Sequence, residues 1–248
     1  MRKIYSILLL LLLSFSLHAQ KLTIAVAANA QYVMKELKKQ YKKETGADID
    51  LIIGSSGKLT AQIKEGAPYH LFLSADTSYP KVLYNEGYTA GEPKIYAYGT
   101  LVLWTYKDNI DLLNINIVTE SKVKKIAVAN PKLAPYGVAT EQALKYYKIY
   151  DRVESKIVYG ESIAQVNQYV TTSNTEVGFT AKSVVLSDEM KNKGKWIEIS
   201  HKAYNPIAQA MVLLKYAEGH DKEAAKKFYD YLLSDKSKQL FKKYGYTF

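Results

Sequence analysis

Cysteine is absent from the 248-residue chain, and this absence removes several kinds of chemistry at once. There is no disulfide, no thiolate metal site, no thiol nucleophile and no cysteine to carry a lipid after signal cleavage. Histidine is scarce, and the three histidines beyond the N-terminal segment, His70, His201 and His220, lack the HxxH or HExxH spacing of metal-binding motifs. The sequence therefore disfavours a metal-cation site and requires a fold that depends on its hydrophobic core.

Long apolar runs are also missing, except at the N-terminus. Residues 1–19 combine a basic start, the stretch ILLLLLLSFSL and the small residue Ala19, which is the pattern of a secretory signal peptide cleaved after Ala19. A retained membrane anchor is the alternative, but the stretch is shorter than the ~20 residues that a membrane span needs. The sequence predicts a soluble mature protein in the periplasm.

Clusters of one charge sign are absent as well, although the formal net charge is +10. The predicted mature part keeps +8, because 32 basic residues (34 less Arg2 and Lys3) remain against 24 acidic ones. Lysines are mixed with acidic residues, as in KELKKQYKKE and GHDKEAAKK, and form no basic stripe with interleaved aromatic side chains. Nucleic-acid binding is not expected, whereas the positive balance suits attraction of anions or of a membrane surface.

Hydrophobic periodicity in the first part of the chain predicts the order β-α-β-α-β. The strand-like runs are KLTIAVAA, IDLIIG and YHLFLSAD, and the segments between them, YVMKELKKQYKKETG and KLTAQIKEG, place apolar residues on one helix face. Such alternation predicts a parallel sheet with right-handed crossovers. Sheets of this kind bind ligands beyond the carboxyl ends of their strands.

A second alternation follows the apolar run IYAYGTLVLWTY, and the chain then returns through the strand IAQAMVLLK to two amphipathic helices. We predict an α/β fold of two lobes, each a mixed, mainly parallel sheet flanked by helices. GTLVLW and IAQAMV are the predicted hinge crossings. The predicted domains are lobe I, residues 20–99 and 210–248, and lobe II, residues 100–209.

The segment GSSGK at residues 54–58 lies where the second strand is predicted to end and a helix to begin. Main-chain N–H groups at a helix start have no partner within the helix, and small residues let a ligand approach them, so this turn is a candidate anion site. Its glycines are too close together for the nucleotide motif GxxxxGK[ST]. Ser55, Ser56 and Asn29 are alternatively helix N-caps, and Lys58 is expected to be a solvated helix residue.

Catalysis is the competing hypothesis. Asp76 in LFLSAD and Glu161 in YGES could act as general acid and base, but their spacing requires no such pair, and Glu161 suits support of a helix start. An exported α/β hydrolase with Ser56 as nucleophile is a further alternative. The chain has no GxSxG elbow and no histidine base beside a motif, so we expect a binding protein rather than an enzyme.

The order of the motifs resembles a known family. AVAAN, GSSGKLTAQIKEGAPYHLFLSAD, ANPKLAPYGVATEQAL, GESIAQV and EVGF follow one another as in the periplasmic molybdate-binding proteins of ABC importers. The resemblance implies a type II periplasmic-binding-protein fold that captures molybdate or tungstate and delivers it to a membrane permease with its cytoplasmic ATPase. It also implies a monomer without a cofactor, and sulfate or another tetrahedral oxyanion is the alternative ligand.

The resemblance further implies which residues bind the ligand. Asn29, with Ala28 beside it, matches a position that supplies side-chain and main-chain donors, and Ser56 matches a hydroxyl donor. Tyr136 and Ile163 match positions whose main-chain N–H groups face the ligand. Uncharged donors suit molybdate, a dianion that has only acceptor oxygens, and a site without an acceptor would reject a protonated phosphate.

One position departs from the family pattern. Family members often carry a tyrosine shortly after the VG pair, whose hydroxyl contacts the oxyanion, whereas this chain has Ala181 at that spacing. That the Tyr136 hydroxyl replaces it from the opposite side is a hypothesis.

Overall fold

The computed structural model describes residues 21–248, and the predicted signal peptide, residues 1–19, lies outside them. The strands of the described part are β1 (Leu22–Ala27), β2 (Ile49–Gly54), β3 (Leu71–Leu73), β4 (Lys94–Gly99), β5 (Leu101–Thr105), β6 (Ile126–Ala129), β7 (Ile157–Gly160), β8 (Val177–Ala181), β9 (Lys195–Glu198) and β10 (Ile207–Leu213). The helices are α1 (Gln31–Thr45), α2 (Ser56–Lys64), α3 (Ser78–Asn85), α4 (Pro135–Tyr146), α5 (Tyr150–Val153), α6 (Ile163–Thr171), α7 (Lys182–Val185), α8 (Tyr216–Gly219), α9 (Lys222–Leu232) and α10 (Asp235–Lys243).

The strands form two sheets of five. The first has the order β2-β1-β3-β10-β4, in which β1 is parallel to β2 and β3, while β10 is antiparallel to β3 and β4. The second has the order β7-β6-β8-β5-β9, in which β6 is parallel to β7 and β8, while β5 is antiparallel to β8 and β9. The predicted two-lobed α/β fold, with a mixed sheet in each lobe, is confirmed.

The apolar run IYAYGTLVLWTY forms two strands in different sheets. β4 ends at Gly99 in the first sheet and β5 begins at Leu101 in the second, so Thr100 carries the chain across within GTLVLW. IAQAMV, predicted as the other crossing, lies wholly inside β10 of the first sheet, because this buried run pairs with β3 on one side and β4 on the other. The return connection is residues 199–206. The predicted domain limits, including the one at residue 210, stay a prediction.

Alternation along β1 builds the core of the first lobe. Ile24 and Val26 belong to a buried cluster that includes Leu37 of α1, while Ala25 belongs to a second cluster that includes Leu59 of α2. Helices therefore cover both faces of the sheet, which explains why β1 reads as a continuous apolar run. The two faces also fix the strand's register, because a shift by one residue would exchange them.

The C-terminal segment returns to the first lobe. Tyr41 of α1 packs edge-on against Phe228 of α9, with ring centroids 4.9 Å apart. After α10 the chain turns at Gly245, whose φ of 81° is in the left-handed region that favours glycine. Thr247 then exchanges main-chain hydrogen bonds of 2.8 and 3.0 Å with Tyr98 of β4. Tyr246, which lies between Gly245 and Thr247 in the chain, is thereby placed between the lobes.

No helix within residues 21–248 combines the length and the apolar composition needed to cross a bilayer.

His70 is a buried histidine at the start of the third strand. Its Nδ1 accepts a hydrogen bond from the Thr23 N–H at 3.0 Å, and its ring packs edge-on against Tyr216. Nε2 has no hydrogen-bond partner among the residues that the structure describes. Burial lowers the pKa of the His70 imidazole below its usual value. The folded state therefore favours the neutral ring.

We predict that His70 makes the protein less stable at acid pH. The unfolded chain takes up a proton near pH 6.5, whereas folded His70 resists protonation, so its contribution to stability is present above that pH and is lost as the pH falls below it. Urea unfolding at pH 7.5 and 5.5 measures the effect. His70→Asn should reduce the slope of the unfolding free energy against pH by at most about 1.4 kcal/mol per pH unit. His201→Asn, at an exposed position, is the control, and an unchanged profile in His70→Asn would contradict the prediction.

Candidate oxyanion site

A small cavity lies between the lobes, beyond the carboxyl ends of β1 and β2. Its walls come from both sheets' loops and helix starts. The lining residues are Ala27, Ala28, Asn29, Gly54, Ser55, Ser56, Ala75, Ala134, Pro135, Tyr136 and Ile163. All five residues that the resemblance implied, Ala28, Asn29, Ser56, Tyr136 and Ile163, thus meet at one cavity.

Three helices begin at this cavity. Ser56 is the first residue of α2, Tyr136 the second residue of α4, and Ile163 the first residue of α6. Main-chain N–H groups in these positions cannot bond within their own helices, and each helix start carries the positive end of the macrodipole. Because α2 belongs to the first lobe and α4 and α6 to the second, donors face the cavity from both sides.

The two serines of the GSSGK turn have different roles. Ser55 is the N-cap of α2, and its Oγ accepts a hydrogen bond from the Lys58 N–H at 3.3 Å, as the capping alternative predicted. Ser56 Oγ accepts from the Ala75 N–H at 3.0 Å, which leaves the hydroxyl hydrogen of Ser56 available to a ligand. Ser56 is therefore a geometrically suitable hydroxyl donor.

Asn29 lines the cavity, but its side-chain amide is engaged elsewhere. Nδ2 donates to Gln209 Oε1 at 2.8 Å and to the Tyr246 hydroxyl at 3.2 Å. Both amide hydrogens are thus used, so the expected side-chain donor to the ligand is not available in this arrangement. Asn29 also accepts at its main-chain oxygen, from Ser183 Oγ at 2.7 Å and from Tyr246 Oη at 3.2 Å.

The Tyr136 hydroxyl lies at the crossing between the sheets. It accepts a hydrogen bond from Gln209 Nε2 at 3.3 Å. A Cβ atom added to Gly99 would stand 2.2 Å from this hydroxyl oxygen, so only glycine fits there. This placement favours a packing role for the phenol at the hinge over the hypothesis that it replaces the tyrosine missing at Ala181. Ala181 itself is fully buried and immediately precedes α7.

Lys, Arg, Asp and Glu are absent from the residues that line the cavity. Lys58, expected to be solvated, is half-exposed and pairs across the lobes with Glu161 at 3.0 Å. Asp76 accepts hydrogen bonds from the hydroxyls of Ser74 and Ser78 next to α3 and does not pair with Glu161. Neither carboxylate forms the acid/base pair considered from the sequence, and a bound anion would meet no charged side chain among the lining residues.

Contacts across the cleft hold the lobes together. The Gly57 N–H donates to the Leu133 carbonyl at 2.9 Å, and the Tyr79 hydroxyl donates to the Lys132 carbonyl at 3.0 Å. With the Ser183 contact to Asn29, these bonds join the two lobes beside the cavity. The chain is in a closed conformation.

The phenols around the cavity remain protonated at neutral pH. Burial raises the pKa of Tyr246 to about 12. Burial also raises the pKa values of Tyr96 and Tyr136 well above their usual value, and neighbouring phenols act in the same direction. These side chains therefore add no negative charge that would repel an anion.

Three residues near the cavity escaped the sequence analysis: Gln209, Tyr246 and Ser183. Gln209 had a detectable signal, since it is the one amide within the apolar strand IAQAMV, and a buried polar group needs a partner. Tyr246 and Ser183 had none. They reach Asn29 only because the C-terminal segment and α7 fold back onto the cleft.

Two sheets with donors converging on a closed cavity between them define a two-lobed binding protein. The chain matches the family described as bacterial extracellular solute-binding protein over residues 22–247. It is 38% identical to molybdate-binding protein ModA of Azotobacter vinelandii over 236 residues, which covers 95% of this chain and 93% of the relative. It is 36% identical to ModA of Rhodobacter capsulatus, with 92% and 89% covered.

A solved structure gives the same result. The periplasmic molybdate-binding protein of Azotobacter vinelandii superposes with a TM-score of 0.86 at 31% identity, covering 92% of this chain and 99% of that chain. The chain belongs to the bacterial extracellular solute-binding protein family. The resemblance to molybdate-binding proteins inferred from the motifs is confirmed.

We predict that Gly57→Ala weakens closure. A Cβ atom at this position would lie 2.8 Å from the Tyr79 hydroxyl and 3.1 Å from the Leu133 Cα, so the lobes would have to separate slightly. Ligand affinity should fall about tenfold, equivalent to about 1.4 kcal/mol, while the melting temperature without ligand changes little.

Gly91→Ala is the matched control, because nothing lies within 4 Å of an added Cβ and the residue is exposed. Titration calorimetry and thermal melting measure both variants. Equal ligand affinity in Gly57→Ala and wild type would contradict the closure argument.

Proposed function

We propose that the protein captures molybdate between its lobes as the extracytoplasmic component of an importer. The relatives of at least 36% identity named above are molybdate-binding proteins, as is the superposed structure. The observation that supports the proposal is that three helix starts, from both lobes, line one cavity that has no charged side chain.

The donor set is suited to a tetrahedral dianion. Molybdate presents four oxygens in different directions, and the Ser56 hydroxyl and the main-chain N–H groups of Asn29, Tyr136 and Ile163 approach from both lobes. A hydrogen bond to a charged partner contributes about 1.5–3 kcal/mol. Four such bonds give a gross gain of about 6–12 kcal/mol, which is compatible with micromolar or tighter binding after entropic costs.

Tungstate has the same charge and shape as molybdate, and we propose that it binds nearly as well. Sulfate also lacks a proton at neutral pH but is smaller, so only the fit of the closed cavity discriminates against it. Hydrogen phosphate carries an O–H that needs an acceptor, and a site made of donors leaves that group unpaired. The relatives named above are molybdate-binding proteins, which favours molybdate over sulfate as the ligand.

We propose that closure transmits binding to a membrane permease with its cytoplasmic ATPase. The closed form joins surfaces of both lobes into one composite face, which an open form does not present. The protein acts as a monomer in the periplasm after removal of the predicted signal peptide, residues 1–19. It needs no cofactor, because capture requires hydrogen bonds alone.

We propose no catalytic role for Ser56. Among the described residues that line the cavity there is no histidine, carboxylate or lysine to take a proton from the hydroxyl. The Ser56 oxygen already accepts a hydrogen bond from the Ala75 N–H, which suits donation to an anion.

Molybdate titration by calorimetry tests the proposal. Wild type should bind molybdate and tungstate and discriminate against sulfate and phosphate. Ser56→Ala removes one hydrogen bond to a charged ligand, so molybdate affinity should fall by about 10- to 150-fold, equivalent to about 1.5–3 kcal/mol. Ser121→Ala, at an exposed loop position, should leave the affinity unchanged. Binding of sulfate alone would reject molybdate as the ligand.

Tyr136→Phe distinguishes two roles for Tyr136: donation to the ligand by its main-chain N–H alone, or by its hydroxyl as well. If Tyr136 contributes its main-chain N–H, the substitution should cost clearly less affinity than Ser56→Ala, since the N–H is retained. A loss as large as that of Ser56→Ala would instead show that the hydroxyl matters for binding, either directly or through its contact with Gln209. The same molybdate titration decides between them.

A further inference from the structure

Gln209 is the centre of a buried hydrogen-bond network behind the cavity. It is fully buried in β10. Its Oε1 accepts from Asn29 Nδ2 and from the Tyr96 hydroxyl, both at 2.8 Å, and its Nε2 donates to the Tyr136 hydroxyl at 3.3 Å. Every polar atom of the Gln209 side chain is therefore directed at a named partner.

This network fixes which end of the Asn29 amide faces the cavity. Both hydrogens on Nδ2 are used by Gln209 and Tyr246, and Oδ1 accepts no hydrogen bond from the residues 21–248. Because both Nδ2 hydrogens are engaged, Oδ1 is the side-chain atom of Asn29 without a partner among these residues, and we take it as the atom that an anion in the cavity would meet. An oxygen acceptor facing a dianion is repulsive, whereas an amide N–H in the same place would be attractive.

The network has a second arrangement that uses the same heavy-atom positions. If the O and N ends of both amides exchange places, Gln209 Nε2 donates to Asn29 Oδ1 and to the Tyr96 hydroxyl, and Gln209 Oε1 accepts from the Tyr136 hydroxyl. Each phenol can donate or accept, so the exchange leaves the contacts of Gln209 satisfied. The single hydroxyl hydrogen of Tyr246 then moves from the Asn29 main-chain oxygen, which keeps its hydrogen bond from Ser183 Oγ, to Asn29 Oδ1. Asn29 Nδ2 is then released toward the cavity.

We propose that Gln209 is a positioning residue that sets the orientation of the Asn29 amide, and that the two amides turn over together when a fully deprotonated oxyanion binds. The inference rests on the proposed function. The arrangement with Nδ2 toward the cavity suits an anion without a hydroxyl, and the arrangement with Oδ1 toward it suits an anion that carries one. Gln209 thereby determines specificity without contacting the ligand.

Gln209→Glu tests this coupling, because a carboxylate only accepts hydrogen bonds. It would keep Asn29 Nδ2 bonded to residue 209 and Asn29 Oδ1 toward the cavity. Affinities for molybdate and hydrogen phosphate are measured by calorimetry at pH 8, where both are dianions, so that general charge repulsion affects them alike. We expect molybdate affinity to fall at least tenfold and the molybdate-to-phosphate affinity ratio to fall at least tenfold with it.

Gln209→Met is the matched control, since it has a similar length and no preference for either end of the Asn29 amide. It should change the ratio by less than about threefold, whatever its effect on each affinity. Sulfate, which has no hydroxyl, should follow molybdate in both variants. An unchanged ratio in Gln209→Glu, or an equal shift in Gln209→Met, would overturn the proposal.

Neutron diffraction from wild-type crystals with and without molybdate is independent of the variants. With molybdate bound, deuterium on Asn29 Nδ2 should point at the anion, and Gln209 Oε1 should face the Tyr136 hydroxyl. The same amide orientation in both crystals would reject the coupled turnover. Failure of wild type to bind molybdate would reject the proposed function instead, so the two failures are distinguishable.

Discussion

The proposed function places one constraint on the structure: a doubly charged anion must be held by hydrogen bonds from groups that carry no full charge. Such bonds are strong only where water is excluded, because a low local dielectric increases their electrostatic energy. The donors must therefore come from two bodies that close over the ligand. Helix starts at the carboxyl ends of parallel strands provide unpartnered N–H groups in that place, which accounts for the positions of α2, α4 and α6 around the cavity.

Small residues follow from the same constraint. Gly57 allows its own N–H to reach the Leu133 carbonyl, because any Cβ would meet the opposite lobe. Gly99 performs the corresponding task at the crossing, where the Tyr136 hydroxyl and Gln209 Nε2 occupy the space a side chain would need. Gly57 and Gly99 are therefore needed because backbones and buried polar groups approach closely there when the lobes close, and not because the chain turns.

Local patterns were enough to predict the lobes and most strands, and the family resemblance implied the five residues that line the cavity. The unbroken apolar run of β1 and the serine cap of α2 can both be recognised from a few neighbouring residues. The predicted location of the second crossing was wrong. IAQAMV is apolar because it lies between two strands of one sheet, not because it crosses between the lobes. The orientation of the Asn29 amide was equally out of reach, since it is decided by Gln209 and Tyr246.

The contacts of Asn29 join parts of the chain that are far apart in sequence. Gln209 lies 180 residues away and Tyr246 lies 217 residues away. Bringing such distant segments together carries a large loop-closure cost, so these contacts form only when other structure already supports them. A partly folded chain that has both sheets but an undocked C-terminal segment would have an incomplete wall behind Asn29. We therefore expect the proposed anion capture to require the fully assembled molecule, so that a folding intermediate would not hold the oxyanion.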